Sequence, residues 1–255
     1  GKDGQKLPQE FSDALAALRG FAKSDLESGL VLSAGFNRRL YGYIAAFNDF
    51  FPDETGTIKK KIILKVSDFR SSYTQGKFLA KKGLWVTEYR VESGLNCGGH
   101  AFASDGYLLG PILEEFKQKR SELFTDMMVT CNEVLDKLEK AKFEDLPELK
   151  ITVQGGIGTS NENDFLLSYY NVDQTGWASP FLLVPEVTVV DDPTRLLIAK
   201  APKKDFYLSD ISPLGVPFNT VRDTESEKEK LRKAMDGKPG SICPKGYLVS
   251  NTEFS

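Results

Sequence analysis

Histidine is almost missing from this chain: one imidazole, His100, serves all 255 residues. Cysteine is scarce too. The three present, Cys97, Cys131 and Cys243, are odd in number and form no Cys-x-x-Cys pair, so neither a disulfide framework nor a zinc site is expected and no metal is called for. A reducing cytoplasm is the expected setting. No apolar run approaches the roughly 20 residues that span a bilayer, which leaves a membrane out of the expected partners. The opening Gly1-Lys2-Asp3-Gly4 has neither an initiating Met nor the apolar region of a signal peptide, as in a chain that was processed, tagged or cut from something longer. One-signed charge is lacking as well: the net charge is -3 and the 33 basic residues are scattered, so nucleic acid is not an expected partner.

What is present suits one substantial core of the size of an α/β barrel, with 40% of residues hydrophobic. Apolar spacing predicts a helix within residues 11–30 that feeds a short strand at Leu30-Val31-Leu32, then a second helix over 38–51 ended by Pro52. A β-branched strand follows at 61–66, a helix over 73–82 stopped by Gly83, and a strand over 84–91. Pro111 opens a long helix through 139 with a stripe at Leu113, Phe116, Leu123, Met127, Cys131, Val134 and Leu138, read as core. Strand 149–154, helix 161–170, an apolar run at 181–185 and a helix over 194–200 capped by Asp191-Asp192-Pro193 continue the alternation. Strands alternating with helices predict a parallel sheet with crossovers. The run 223–238 is charged and helix-prone, and a turn-rich tail follows.

Three loops could carry chemistry. Past the third strand stands Glu92-Ser93-Gly94-Leu95-Asn96-Cys97-Gly98-Gly99-His100, with the lone imidazole beside two glycines. Next, Val153-Gln154-Gly155-Gly156-Ile157-Gly158-Thr159-Ser160 is a strand-to-loop switch whose backbone N–H groups could face an anion ahead of a helix start, or could mark only a tight turn. No Gly-Lys-Ser/Thr follows, which excludes a nucleoside triphosphate P-loop. The third is Thr175-Gly176-Trp177-Ala178-Ser179-Pro180-Phe181; consecutive glycine-bearing loops in this order are what a barrel's phosphate site needs.

In their order, Cys97-Gly98-Gly99-His100, Val153-Gln154-Gly155-Gly156-Ile157 and the segment from Gly176 through Phe181-Leu182-Leu183-Val184-Pro185-Glu186 resemble the nitronate monooxygenase family and its relatives, the FMN-dependent enoyl reductases. The resemblance covers residues 61–222. It implies an α/β fold of TIM-barrel type, (β/α)8-like, with FMN as cofactor and a small-molecule substrate. Gly155 and Gly156, with Gln154 beside them, would hold the flavin phosphate, aided by Gly176, Trp177, Ala178 and Ser179. Gly98 and Gly99 would lie along the cofactor, and His100 would act at the substrate side as a base or as a residue near the reacting bond.

The family's opening strand and its Met- or Asn-bearing loop have no counterpart before Val31, so the expected barrel, residues 1–222, is incomplete at its N-terminal side. Residues 223–255 form a charged helix and tail. A second copy or an additional chain would then complete the barrel. Two other readings stay open on the residues alone. One is a flavin- or phosphate-binding module without catalysis. The other is a flavin-free lyase or isomerase acting on a phosphorylated metabolite, with Lys65 or Glu88 in the barrel mouth; the expectation for these two is a solvated strand-end charge and a surface residue.

Overall fold

The computed structural model describes residues 4–5, 8, 11–33, 35–92, 109–155, 157, 159–177, 191–209 and 218–239. They form two compact units, Gly1–Ser179 and Pro180–Ser255. The first is built on five strands, β1 (Gly29–Leu32), β2 (Lys61–Val66), β3 (Val86–Glu92), β4 (Lys150–Gln154) and β5 (Gln174–Gly176). All neighbours pair in parallel, in the order β1-β2-β3-β4-β5. Each strand is added beside its predecessor, so right-handed crossovers place the helices on one face. A doubly wound sheet reverses its strand order part-way, and this one does not. The fold is therefore α/β, with consecutive βα units as a TIM-type barrel arranges them.

Alternation along the strands assigns the two faces. Ile62, Leu64, Val66, Tyr89, Val91, Ile151 and Val153 are buried and form the core with Leu79 of α3 (Phe69–Ala80) and Leu113, Phe116, Leu123, Met127, Cys131 and Leu135 of α4 (Leu109–Lys137). The opposite positions of β2, β3 and β4 are polar except for Ile63. A register step sets their phase: Ile62 pairs with Val86 and Ile63 with Glu88, so that Thr87 is extra on β3 and Glu88, Arg90 and Glu92 all face away from the helices.

Local chemistry explains the element ends. Asp68 caps α3, accepting from the Ser71 amide at 2.6 Å, and starts that helix four residues ahead of the expected Tyr73. The expected helix over 38–51 is α2 (Arg38–Ile44) followed by a separate 3-10 turn at Asn48–Phe50. On α4 the stripe ends at Leu135, and Leu138, one residue past the end of the helix, is exposed. The remaining helix of the first sequence half, α1 (Asp13–Ala22), buries Leu15, Leu18 and Ala22.

Beneath the sheet's N-terminal end, Lys60 is fully buried. Its ammonium donates to the carbonyls of Leu26 at 2.8 Å and Ser24 at 2.9 Å and sits 4.7 Å from the Phe21 ring centroid. This ties the α1–β1 connection to the start of β2. On α4, Arg120 pairs with Asp173 at 2.8 Å and donates to the Asn171 carbonyl, while Asp173 accepts from the Ile151 amide at 2.6 Å. That clamp secures β4 beside β5.

The second unit contains an antiparallel pair that the helix-strand alternation does not suggest, β6 (Phe206–Ser209) with β7 (Phe218–Val221). Its helices are α6 (Asp192–Lys200), capped by Asp191, and α7 (Glu225–Met235), capped by Thr224.

Candidate functional site

The C-terminal ends of β3, β4 and β5 meet in one row: Glu92 pairs in register with Gln154, and Gln154 with Gly176. One residue further, the Gly155 amide donates to the Gly176 carbonyl at 3.1 Å, so the two loops leave the sheet tied together. Gly155 has φ +78°, a left-handed conformation that glycine adopts without strain and that turns the chain sharply out of β4. At Gly176 a Cβ would overlap the Gln154 carboxamide, which lies over this glycine. Gly176 belongs to strand β5, where the sequence reads as loop, because three residues without apolar alternation carry no strand signal.

Behind these glycines, α5 (Ser160–Tyr169) opens on a capping box. The Glu162 carboxylate accepts from the Thr159 amide at 2.9 Å, and the Thr159 hydroxyl from the Glu162 amide at 3.3 Å. Two first-turn donors are thus taken by the helix itself. Thr175 donates from Oγ1 to Asn163 Oδ1 at 2.7 Å, and the Trp177 indole N–H donates to Thr175 Oγ1 at 3.2 Å. The end of β5 is fastened to α5 through this pair of bonds.

Of the residues expected at the site, Gln154, Gly155, Gly176 and Trp177 are brought together here. His100, Gly98, Gly99, Gly156, Ala178 and Ser179 lie outside the described residues, as does the apolar run at 181–185.

The polar face below the mouth is where the structure adds most. Glu88 is not a surface residue: it is 8% exposed, and its Oε1 accepts from Thr152 Oγ1 at 2.6 Å and from Arg90 Nε at 2.8 Å. Lys65 is not simply solvated either, since its ammonium is 2.8 Å from Glu92 Oε2. The alternation Glu88-Arg90-Glu92 around Tyr89 and Val91 is visible in the sequence. Without the Thr87 register step it gives no face assignment. At the first strand, the buried Tyr41 hydroxyl donates to Gln75 Oε1 at 2.7 Å, with the Ser33 carbonyl 3.3 Å away, and burial pushes its pKa up to about 12. The exit of β1 is thereby held against α3.

Among the described residues no group of three or more His, Cys, Asp or Glu side chains is placed to hold a metal ion. No helix among them is long and apolar enough to cross a membrane.

No family model and no curated protein matches the chain. Among solved structures it is similar to the enoyl reductase domain of MlnA from the macrolactin biosynthesis cluster of Bacillus amyloliquefaciens, with a TM-score of 0.51 and 14% identity. The likeness is one of fold. It covers 92% of this chain and 58% of the other, so the chain spans little more than half the length of that domain.

Proposed function

We propose that the chain is an FMN-dependent oxidoreductase of the nitronate monooxygenase type. The observation that carries this reading is the junction of two glycine-bearing strand ends, Gly155 and Gly176, hydrogen-bonded at the C-terminal edge of a parallel sheet. That edge is where such folds bind ligands. The chemistry of the junction fits a flavin phosphate: a left-handed glycine turns the backbone out of β4 so that the amides that follow can face an anion, and the missing Cβ at Gly176 makes room for the Gln154 carboxamide at the mouth. The capping box reserves the amides of Thr159 and Glu162, and the Gly155 amide is donated to Gly176, so the phosphate would be met by the backbone beyond the Gly155 turn, at Gly156, with Gly176, Trp177, Ala178 and Ser179 alongside.

Bound flavin would supply the electron acceptor. The chain's own residues would position and deprotonate. Gly98 and Gly99 would allow close approach of the backbone, and His100 would take or place the substrate proton, as an imidazole can near neutrality. On this reading the edges of β1 and β5 are completed by a second copy or a further chain, and the protein works in the cytoplasm on a small molecule.

An absorbance spectrum of the purified protein, before and after adding FMN, tests the cofactor. Flavin bands that co-purify or appear on titration are expected; a colourless protein that binds no FMN sinks the reading. His100→Ala should keep FMN and lose turnover, whereas unchanged turnover removes His100 from the chemistry. The placement of Lys65 and Glu88 on the strand face away from the helices keeps one rival in view, a flavin-free lyase or isomerase, which a colourless but active protein would favour.

A further inference from the structure

Helix α7 turns its polar side towards its own unit. Glu227, Glu229, Lys230 and Lys233 are half-buried, while Leu231 and Met235, one turn apart, are 57% and 85% exposed. The polar side is fastened to the β6–β7 ribbon where the Tyr207 hydroxyl donates to Glu227 Oε1 at 3.0 Å. Among the described residues of this second unit none is buried. The i, i+4 spacing of Leu231 and Met235 sets them on one stripe of the helix, with Ala234 beside it. A stripe of this kind is what an amphipathic helix lays against a partner, and here its own unit does not use it.

The charges on α7 select the partner. Residues 223–229 carry four carboxylates and one lysine, and residues 230–238 carry four cations and one carboxylate. That polarity suits the dipole of the helix itself. It also makes two antiparallel copies complementary, since the acidic half of each then lies along the basic half of the other. The ion pairs within the helix, Glu225 with Lys228 and Arg232 with Glu229 and Asp236, are exposed and contribute little, so they compete weakly with pairs across an interface. Gly237, at φ +69°, turns the chain at the end of α7, and the Lys238 amide donates to the Lys233 carbonyl at 2.8 Å, which holds Lys238 at that end.

We infer that α7 is a self-association surface: two copies of the chain pair through antiparallel α7 helices, with Leu231 and Met235 in the seam. About a two-fold axis near Leu231 and Arg232, Glu225 lies level with the partner's Lys238. A helix of 11 residues is about 16 Å long, so the contact is small and the dimer belongs to the weak, reversible class. The surface lies away from the glycine-bearing strand ends and does not depend on the flavin reading.

The test is sedimentation equilibrium of the purified chain over a concentration series. The apparent mass should climb from that of one chain towards that of two. Leu231→Glu changes a side chain that is already exposed, so it should keep the far-UV circular dichroism and weaken the association by about tenfold or more. Salt that shortens the Debye length from about 10 Å to about 3 Å should weaken it several-fold. Glu225→Lys and Lys238→Glu should each weaken it alone, because like charges then meet at both ends of the pair. An equimolar mixture of these two variants should recover the wild-type association, because the mixed dimer sets lysine against glutamate at both ends. A wild-type chain that stays monomeric throughout, a dimer indifferent to Leu231→Glu, or a mixture that associates no better than the single variants overturns the assignment.

Discussion

The hydroxyl of Thr152 on β4 donates to Glu88 on β3 at 2.6 Å, joining two buried polar side chains across neighbouring strands. Removing the donor leaves a buried carboxylate with one bond fewer. Thr152→Val is isosteric and should lower unfolding free energy by about 1–2 kcal/mol, read as a lower urea midpoint at unchanged slope. Thr152→Ser should recover most of the loss, and a valine variant as stable as wild type would show that Glu88 does not rely on this bond.

A second expectation concerns Tyr89 and Gly76. The Tyr89 hydroxyl is fully buried with no hydrogen-bond partner among the described residues, and a Cβ on Gly76 would overlap it. Tyr89→Phe should therefore be neutral or stabilising by up to about 1 kcal/mol. Gly76→Ala alone should destabilise, and in the Tyr89→Phe background it should cost distinctly less. Additive effects in this double-mutant cycle would refute the clash.

Lys60 offers a third case. It is an ammonium held in the protein interior by two carbonyl oxygens and an aromatic face. Lys60→Met keeps the stem and deletes the donors, leaving the Ser24 and Leu26 carbonyls unmatched. A loss of about 2–3 kcal/mol is expected, with hydrogen exchange accelerating first around residues 24–28. Exchange that rises uniformly over the whole chain would argue against a local clamp.

Alkaline pH should unfold the protein gradually. Burial raises Cys131 from 9.0 to about 12 and Tyr41 from 10.0 to about 12, so the folded state holds both protons more tightly than the unfolded state does. Their stabilisation is complete below pH 9 and is lost as pH climbs from 9 to 12, with a slope of at most about 1.4 kcal/mol per pH unit for each group. In Cys131→Ala the onset should move from near pH 9 to near pH 10. A wild-type urea midpoint flat through this range would contradict the burial of both groups.

Much of the helical framework is legible in the sequence because capping residues and apolar spacing act over a few positions. Asp191 with Pro193 marks the start of α6, and Lys61 to Val66 coincides with β2 because alternating isoleucine, leucine and valine have one way to lie half in a core. Strand β5 escaped for the opposite reason: Gln174, Thr175 and Gly176 become a strand only because β4 offers them backbone partners. Leu138 fell off the buried stripe because the helix stops at Lys137, and helical spacing alone does not mark that end.

At the site, the glycines of the mouth stand out in one dimension, since few other residues tolerate a left-handed turn or so close an approach. That Gly155 and Gly176 touch required the parallel pairing of β4 and β5. By itself the sequence determined the helices and strands from α1 to α5, the glycine-bearing loops and the lone imidazole, since capping and apolar spacing are set between near neighbours. Only the tertiary structure decided which face each charge takes: one extra residue at Thr87 turns Glu88, Arg90 and Glu92 to the face away from the helices, and the burial of Glu88 follows from Thr152 and Arg90 standing ready to satisfy it.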